Sequence, residues 1–221
     1  MLNLNEEKMK NKIKFKKESI ISIIFSILLF ALVNFFFYKK MPETIPTHWG
    51  LNNEIDNYSS KFSAFIKTPI FLILINIFSC FMLDNDPKNK NKNKLIILIG
   101  KATVPLVLLI TFMISVFYGL GREINVMVIV SLFVGFLLIV VGNYLPKTKR
   151  NYTVGIKLPW TLNSDENWRK THRLGGYTFI LRGLFFLISP FVENQYLILI
   201  TISIIFFIPM IYSFYLYKNG I

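Results

Sequence analysis

The chain is poor in the residues that most chemistry requires. It has one cysteine, Cys80, and two histidines, His48 and His172, among 221 residues. A single thiol excludes an intramolecular disulfide and says nothing about redox compartment. Two histidines and one cysteine cannot assemble the usual three-ligand zinc site, the more so because the spans described below put the histidines on opposite faces of a bilayer. P-loop and Gly-x-Gly-x-x-Gly patterns are missing, which removes the familiar glycine cradles for phosphates and dinucleotides. No Ser/His or Cys/His pair stands at a nucleophilic spacing. Neither catalysis nor a cofactor or metal is expected. Acidic residues are also few, twelve against 25 lysines and arginines, for a net charge of +13. None of the twelve falls within the core of an apolar run, Glu18 and Glu193 standing at edges. That argues against a carrier that holds its coupling ion on an intramembrane carboxylate.

Apolar runs, by contrast, dominate. Six of them, Ser19–Tyr38, Ile66–Leu83, Leu95–Tyr118, Val126–Leu145, Leu174–Val192 and Tyr196–Tyr217, are 18 to 24 residues long. A hydrocarbon core of about 30 Å needs about 20 helical residues. The reading is an all-α integral membrane protein with six transmembrane helices. Eighteen of the 25 basic residues fall in the segments on one side of these spans. Only Lys39, Lys40, Lys61 and Arg122 fall on the other, and Lys67, Lys101 and Arg182 lie within or at the edge of spans. Positive charge marks the cytoplasmic side, so both termini are expected there. The basic excess is then topogenic and attracts anionic lipids. No recognition motif accompanies it, and no nucleic-acid partner is expected. The first span is not read as a cleaved signal peptide, because Tyr38-Lys39-Lys40 follows it where a small-residue cleavage site would stand.

Two polar connections have any size, Lys39–Phe65 outside and Pro146–Arg173 inside, each under 30 residues. That is below the roughly 40 residues at which an unstapled segment folds alone, so both must lean on the bundle. Met1–Lys17 and Asp84–Lys94 are charge-rich and read as disordered or solvated. Gly119-Leu120-Gly121 and Glu193-Asn194-Gln195 read as tight turns between antiparallel helices. The charged stretch ending at Lys94 divides the chain into residues 1–94, with two spans and the outer loop, and residues 95–221, with four spans.

In the outer loop, Pro42 and Pro46 favour an extended path. Gly50 and Asn52-Asn53 tolerate the positive φ of a sharp turn. Trp49 and Tyr58 suit the water–lipid boundary, with ring bodies buried and polar tips wet. The loop is either an ordered cap or a recognition surface facing outward. In the inner loop, Asn163 followed by Glu166 fits a capped helix start, with Asp165 and Glu166 at the positive end of the dipole. Trp168 and His172, four apart, then share a face, flanked by Arg169, Lys170 and Arg173. This reads as a short basic helix in the interface, ahead of a change of direction at Gly175-Gly176. Either it is an elbow or it is a working surface.

Inside the spans, Lys101 and Arg182 sit about 9 and about 12 Å deep from the inner side. They either snorkel back to the headgroups or line a cationic pocket for a lipid head, a peptide carboxylate or a carbonyl cluster. Pro105 frees the carbonyl of Lys101, and Pro209 frees that of Ile205. Both prolines occupy the third span of a three-helix half, where an inverted repeat would place them. Ser131 and Gly135 put small residues four apart for close helix contact.

Gly155-Ile156-Lys157-Leu158-Pro159-Trp160-Thr161-Leu162 and Trp168-Arg169-Lys170-Thr171-His172-Arg173 resemble the signature of the SdpI family, bacterial membrane proteins named for immunity to a secreted killing peptide. Ile45-Pro46-Thr47-His48-Trp49 and Asp56-Asn57-Tyr58 resemble the small uncharacterised domain that often precedes that signature. Together the two cover most of the chain in the expected order. Leu158 departs from the family, which more often has a short polar residue there. Asn53 stands where a glycine is usual, although asparagine also accepts positive φ. The resemblance implies a multi-pass protein of the bacterial cell membrane that protects its host from a membrane-active peptide toxin. It also suggests signalling, by drawing a cytoplasmic transcriptional repressor to the membrane. Carried over by matching residues, the candidates are His48 and Trp49 outside and Pro159, Trp160, Trp168 and His172 inside. The rival reading is a small transporter or lipid-handling protein that uses Lys101 and Arg182.

Overall fold

In hydrocarbon every backbone N–H and C=O needs a partner within its own segment, and the apolar runs meet that demand as helices. The computed structural model describes residues 15–50, 52–87, 94–192 and 195–221. Its long helices are α1 (Lys17–Phe37), α2 (Thr68–Asn85), α3 (Lys94–Gly119), α4 (Val126–Tyr144), α6 (Asp165–Ile188) and α7 (Gln195–Lys218). A short helix, α5 (Pro159–Asn163), precedes α6. All six long helices are apolar and long enough to cross a membrane. The expected disorder of residues 1–14 and 88–93, and the turn at Glu193-Asn194, lie outside the described residues.

Helices α1, α2 and α3 pack on one another, while α6 lies between α4 and α7. The two groups of three meet sparsely, chiefly along α3 and α4. Composition marks a break at residue 94, and packing marks another at the turn after Gly119, where Gly121 takes a φ of 73°. The first group is tied by polar contacts at the point where Pro105 interrupts the α3 ladder. The freed carbonyl of Lys101 accepts from the Ser22 hydroxyl at 2.7 Å. Asn76 joins this contact, accepting from Ser22 at 3.2 Å and donating to Ser26 at 3.0 Å.

Glycine holds the second group together. Gly135 and Gly142 on α4 face Gly183 and Gly176 on α6. A Cβ added to Gly183 would stand 2.6 Å from the Gly135 carbonyl oxygen, and one added to Gly142 would stand 2.8 Å from that of Gly176. Ser131 and Ser189 extend the seam with a hydroxyl contact of 3.2 Å. In lipid there is no hydrophobic drive between helices, so close backbone approach supplies the van der Waals contact. This corrects the reading of Gly175-Gly176. The pair does not redirect the chain, because α6 runs through it unbroken from Asp165. Its missing side chains make room for Leu145, Pro146 and Ile156.

At one end of the bundle the expected extended path is a β-hairpin, β1 (Thr44–Trp49) against β2 (Ile55–Ser60), with irregular register around His48. Asn53 takes the positive φ of its turn, 64°. Met41 and Ile45 anchor the hairpin among Phe65, Leu108 and Phe112, all buried. A π turn at Ser63–Lys67 leads into α2, and its Phe65 carbonyl accepts from the Asn34 amide at 3.1 Å. The start of α1, the inner loop and the end of α7 all lie at the opposite end.

Gly183→Ala should destabilise the protein by about 1–3 kcal/mol, because the group it strikes is backbone and cannot swing away. Thermal unfolding in detergent, read against Gly100→Ala in α3, where the nearest atom is the flexible end of Leu83 at 3.2 Å, measures the effect.

Candidate functional site

The inner loop folds into a cap on the second helix group. Thr161, fully buried, accepts from the Leu158 N–H at 2.8 Å and donates to the Ile156 carbonyl at 2.9 Å. That fixes Pro159 as the first residue of α5, where its missing N–H is harmless. Trp160 then lies over the end of α7. Its Nε1–H donates to the Ser213 hydroxyl, and its ring stacks on Tyr217 with centroids 5.8 Å apart. Ser164, and not Asn163, caps α6, accepting from the Asn167 N–H at 3.1 Å. Its serine oxygen stands three residues before that donor, whereas Asn163 closes α5.

Trp168 and His172 share a helix face as expected, with centroids 3.8 Å apart and planes 19° apart. They do not form an interfacial surface, because both are buried. Trp168 Nε1–H donates to the Thr148 carbonyl at 2.9 Å. The Ile156 N–H donates to His172 Nε2 at 3.0 Å, so that nitrogen carries a lone pair, and Nδ1–H donates to the Trp168 carbonyl at 2.8 Å. Histidine is therefore neutral here and spans two backbone segments. Gly155 makes this possible. Its φ is 125°, and a Cβ there would collide with His172 Nε2 and the Trp168 ring. The exposed basic residues of this end are Lys147, Lys149, Lys157, Arg169 and Arg173, and the acidic Asp165 and Glu166 are exposed beside them.

At the other end the hairpin roofs a cleft of about 410 Å³ lined by His48, Trp49, Thr68, Thr111, Ser115 and Met127 among others. Trp49 was expected to keep its tip wet. Instead its ring rests 5.2 Å from Tyr118, and its Nε1–H is buried without an acceptor. His48 Nδ1 lies 2.6 Å from Asp56, both exposed at the rim. Asn53 carries the roof across to α4, its side-chain oxygen accepting from the Val126 and Met127 N–H groups at 2.7 and 3.3 Å. These are orphan donors of a helix start, satisfied from another element. A second cleft, about 450 Å³, lies at the cap end, where Phe78, Met82 and Gly100 face Tyr152, Gly155 and Lys157. Asp86 bridges there, accepting from the Tyr152 N–H and the Thr153 hydroxyl at 3.1 and 2.8 Å.

Lys101 neither snorkels nor lines an open cationic pocket. It is 2% exposed and ion-paired with Asp84 at 2.7 Å. Asp84 also accepts from the Ser19 hydroxyl at 2.6 Å and the Lys16 N–H at 2.8 Å. The reading of Asp84 as part of a solvated stretch is thus corrected, because α2 continues to Asn85 and the lysine in the next helix draws the carboxylate in. One acid just past a span and one lysine six residues inside the next was the available signal. Arg182 stays within the bilayer-spanning part of α6, its guanidinium 5.0 Å from the Phe206 ring centroid and 5.6 Å from that of Phe179. Asn167, buried, went unnoticed in the sequence. Its amide donates to the Ser213 and Ile221 carbonyls at 3.0 Å each and ties α6 to the end of α7.

Asp84→Asn leaves Lys101 buried without its counter-charge and should cost about 3–5 kcal/mol. Asp84→Asn with Lys101→Met should recover most of that loss. Equilibrium unfolding of wild type, Asp84→Asn, Lys101→Met and the double variant in one detergent measures the coupling.

Residues 147–213 match the model of the SdpI/YfhL protein family, and residues 24–73 match a domain of unknown function (DUF1648). The chain is 29% identical over 206 residues to "Immunity protein SdpI" of Bacillus subtilis (strain 168), a stretch covering 92% of this chain and 97% of that protein. No solved structure matches. The family segment spans the cap from Lys147 to its contact with Ser213, and the first segment spans the hairpin. With six helices long and apolar enough to span a membrane carrying both, the chain is a multi-pass cell-membrane protein similar, in its cap and last two helices, to the SdpI/YfhL family.

Proposed function

We propose that this protein protects the cell that makes it from a secreted, membrane-active peptide. The observation that carries the reading is similarity to an immunity protein through nearly the whole of both chains. The hairpin-end cleft supports a route. Its walls are apolar with scattered hydroxyls, and the buried Trp49 Nε1–H lacks an acceptor. An inserted peptide segment brings apolar side chains and backbone carbonyls, and an unsatisfied donor in hydrocarbon favours a carbonyl strongly. The toxin docks beneath the hairpin and is held where it cannot assemble a lesion. The hairpin faces outside, and the cap faces the cytosol, as the basic bias suggests. There the exposed Lys147, Lys149, Lys157, Arg169 and Arg173 suit an acidic protein surface, and we assign them to recruitment of a transcriptional repressor.

A second reading draws on the two clefts at opposite ends of the seam between the helix groups. That arrangement also suits a small transporter or lipid-handling protein, which would move a substrate whether or not toxin is present.

In a survival assay, Trp49→Ala and Ser115→Leu should lower the tolerated toxin dose about tenfold, as loss of ~1.4 kcal/mol of docking gives. Both variants must reach wild-type levels in the membrane. Unchanged survival would rule out the cleft as the docking site. Sidedness is tested separately, with an impermeant thiol reagent on intact cells and Cys80 buried. Tyr58→Cys should label, and Lys149→Cys should label only after lysis.

A further inference from the structure

Arg182 is the only charged residue of α6 beyond Arg173, and it lies in the middle of a spanning helix. Lys101, the other deeply placed cation, has a carboxylate at 2.7 Å. Among the described residues no acidic side chain pairs with Arg182, and its Nε–H is buried without an acceptor. The guanidinium lies over the rings of Phe206 and Phe179, which stabilise its charge. They leave its edges, which carry five N–H donors, in need of oxygen. An arginine without oxygen acceptors at this depth is costly, so its position between α6 and α7 suits an anionic oxygen ligand.

The surroundings favour one source of that anion. Arg182 is half-buried, and its exposed neighbours are apolar: Tyr177, Leu181 and Leu184 on α6, and Phe206 and Phe207 on α7. The site therefore opens sideways toward acyl chains. Side chains on a helix tilt toward its N-terminus, which inclines the guanidinium toward the cap end. A molecule that presents phosphate oxygens at that leaflet and acyl chains beside these rings satisfies every one of these features. We propose that Arg182, where it lies against Phe179 and Phe206 on α6 and α7, binds the phosphate of an anionic phospholipid from the cap-side leaflet. The planar guanidinium takes two phosphate oxygens at once, which a lysine cannot do. This site is separate from the hairpin-end cleft and does not depend on its role in immunity.

The full chain is reconstituted in three vesicle preparations: phosphatidylcholine alone, phosphatidylcholine with phosphatidylglycerol, and phosphatidylcholine with added inorganic phosphate. Thermal midpoints are measured for wild type, R182Q, R182K and R173Q, the last an exposed control with the same change of charge. Phosphatidylglycerol should raise the midpoint of wild type and R173Q by about 3 °C more than that of R182Q. R182K should fall between. Mass spectrometry of gently delipidated protein should find phosphatidylglycerol retained by wild type and lost by R182Q. An equal shift and equal retention in wild type and R182Q would overturn the proposal. So would inorganic phosphate reproducing the full shift, which would assign the site to a free anion.

Discussion

Hydrocarbon offers no hydrogen-bond partner, and the rest of the structure depends on how the chain supplies its own. The regular backbone is satisfied within each helix, so the informative places are those where regularity fails. Pro105 opens the α3 ladder, and Ser22 closes it from α1. The π turn before α2 widens, and Asn34 reaches its carbonyl. The start of α4 presents orphan N–H groups, and Asn53 reaches them from the hairpin. In each case the repair comes from a different element, so local backbone economy also determines which elements touch.

The same constraint explains why the molecule has two helix groups. Within each group, contact is made by means that lipid cannot replace: a serine–asparagine–lysine network in the first, and glycine-to-carbonyl approach in the second. Between the groups there is little of either. The polar bridges there are at the two ends, through Asn53 at the hairpin and Asp86 at the cap. Each bridge stands beside a cleft. A seam held at its ends and loose along its length is where two rigid groups shift with least loss of packing. A peptide seated under the hairpin would act on that seam, and the cap rests on its far end.

Residue patterns reached some of this and missed the rest for identifiable reasons. The spans were plain because about 20 apolar residues in a row have few other fates. The Trp168–His172 pair was legible as a shared face, since four-residue spacing is a local property of helices. Its burial was not legible, because Gly155 and Thr148, from a segment more than a dozen residues earlier, close over it. Asp84 was read as solvated because polarity in a loop and polarity at a buried helix end look alike in one dimension. Only the neighbouring position of Lys101 distinguishes them. Gly175-Gly176 was read as a bend because glycine permits one. Here its value lies in what it leaves out, which depends on α4 being close.

The amino-acid order alone determined the number of spans, the ends to which His48 and His172 belong, and the family signature around Pro159 and Trp168. All of these are set by hydropathy, charge bias and short spacing, which act between residues near in the chain. Tertiary structure decided that Lys101 is neutralised, that Arg182 meets no carboxylate among the described residues, that Trp49 beside a cleft buries its donor without an acceptor, and that the cap is sealed over a neutral histidine. Those outcomes turn on which distant atoms come within hydrogen-bonding distance of one another, and in a medium without water that proximity decides the state of every buried polar group.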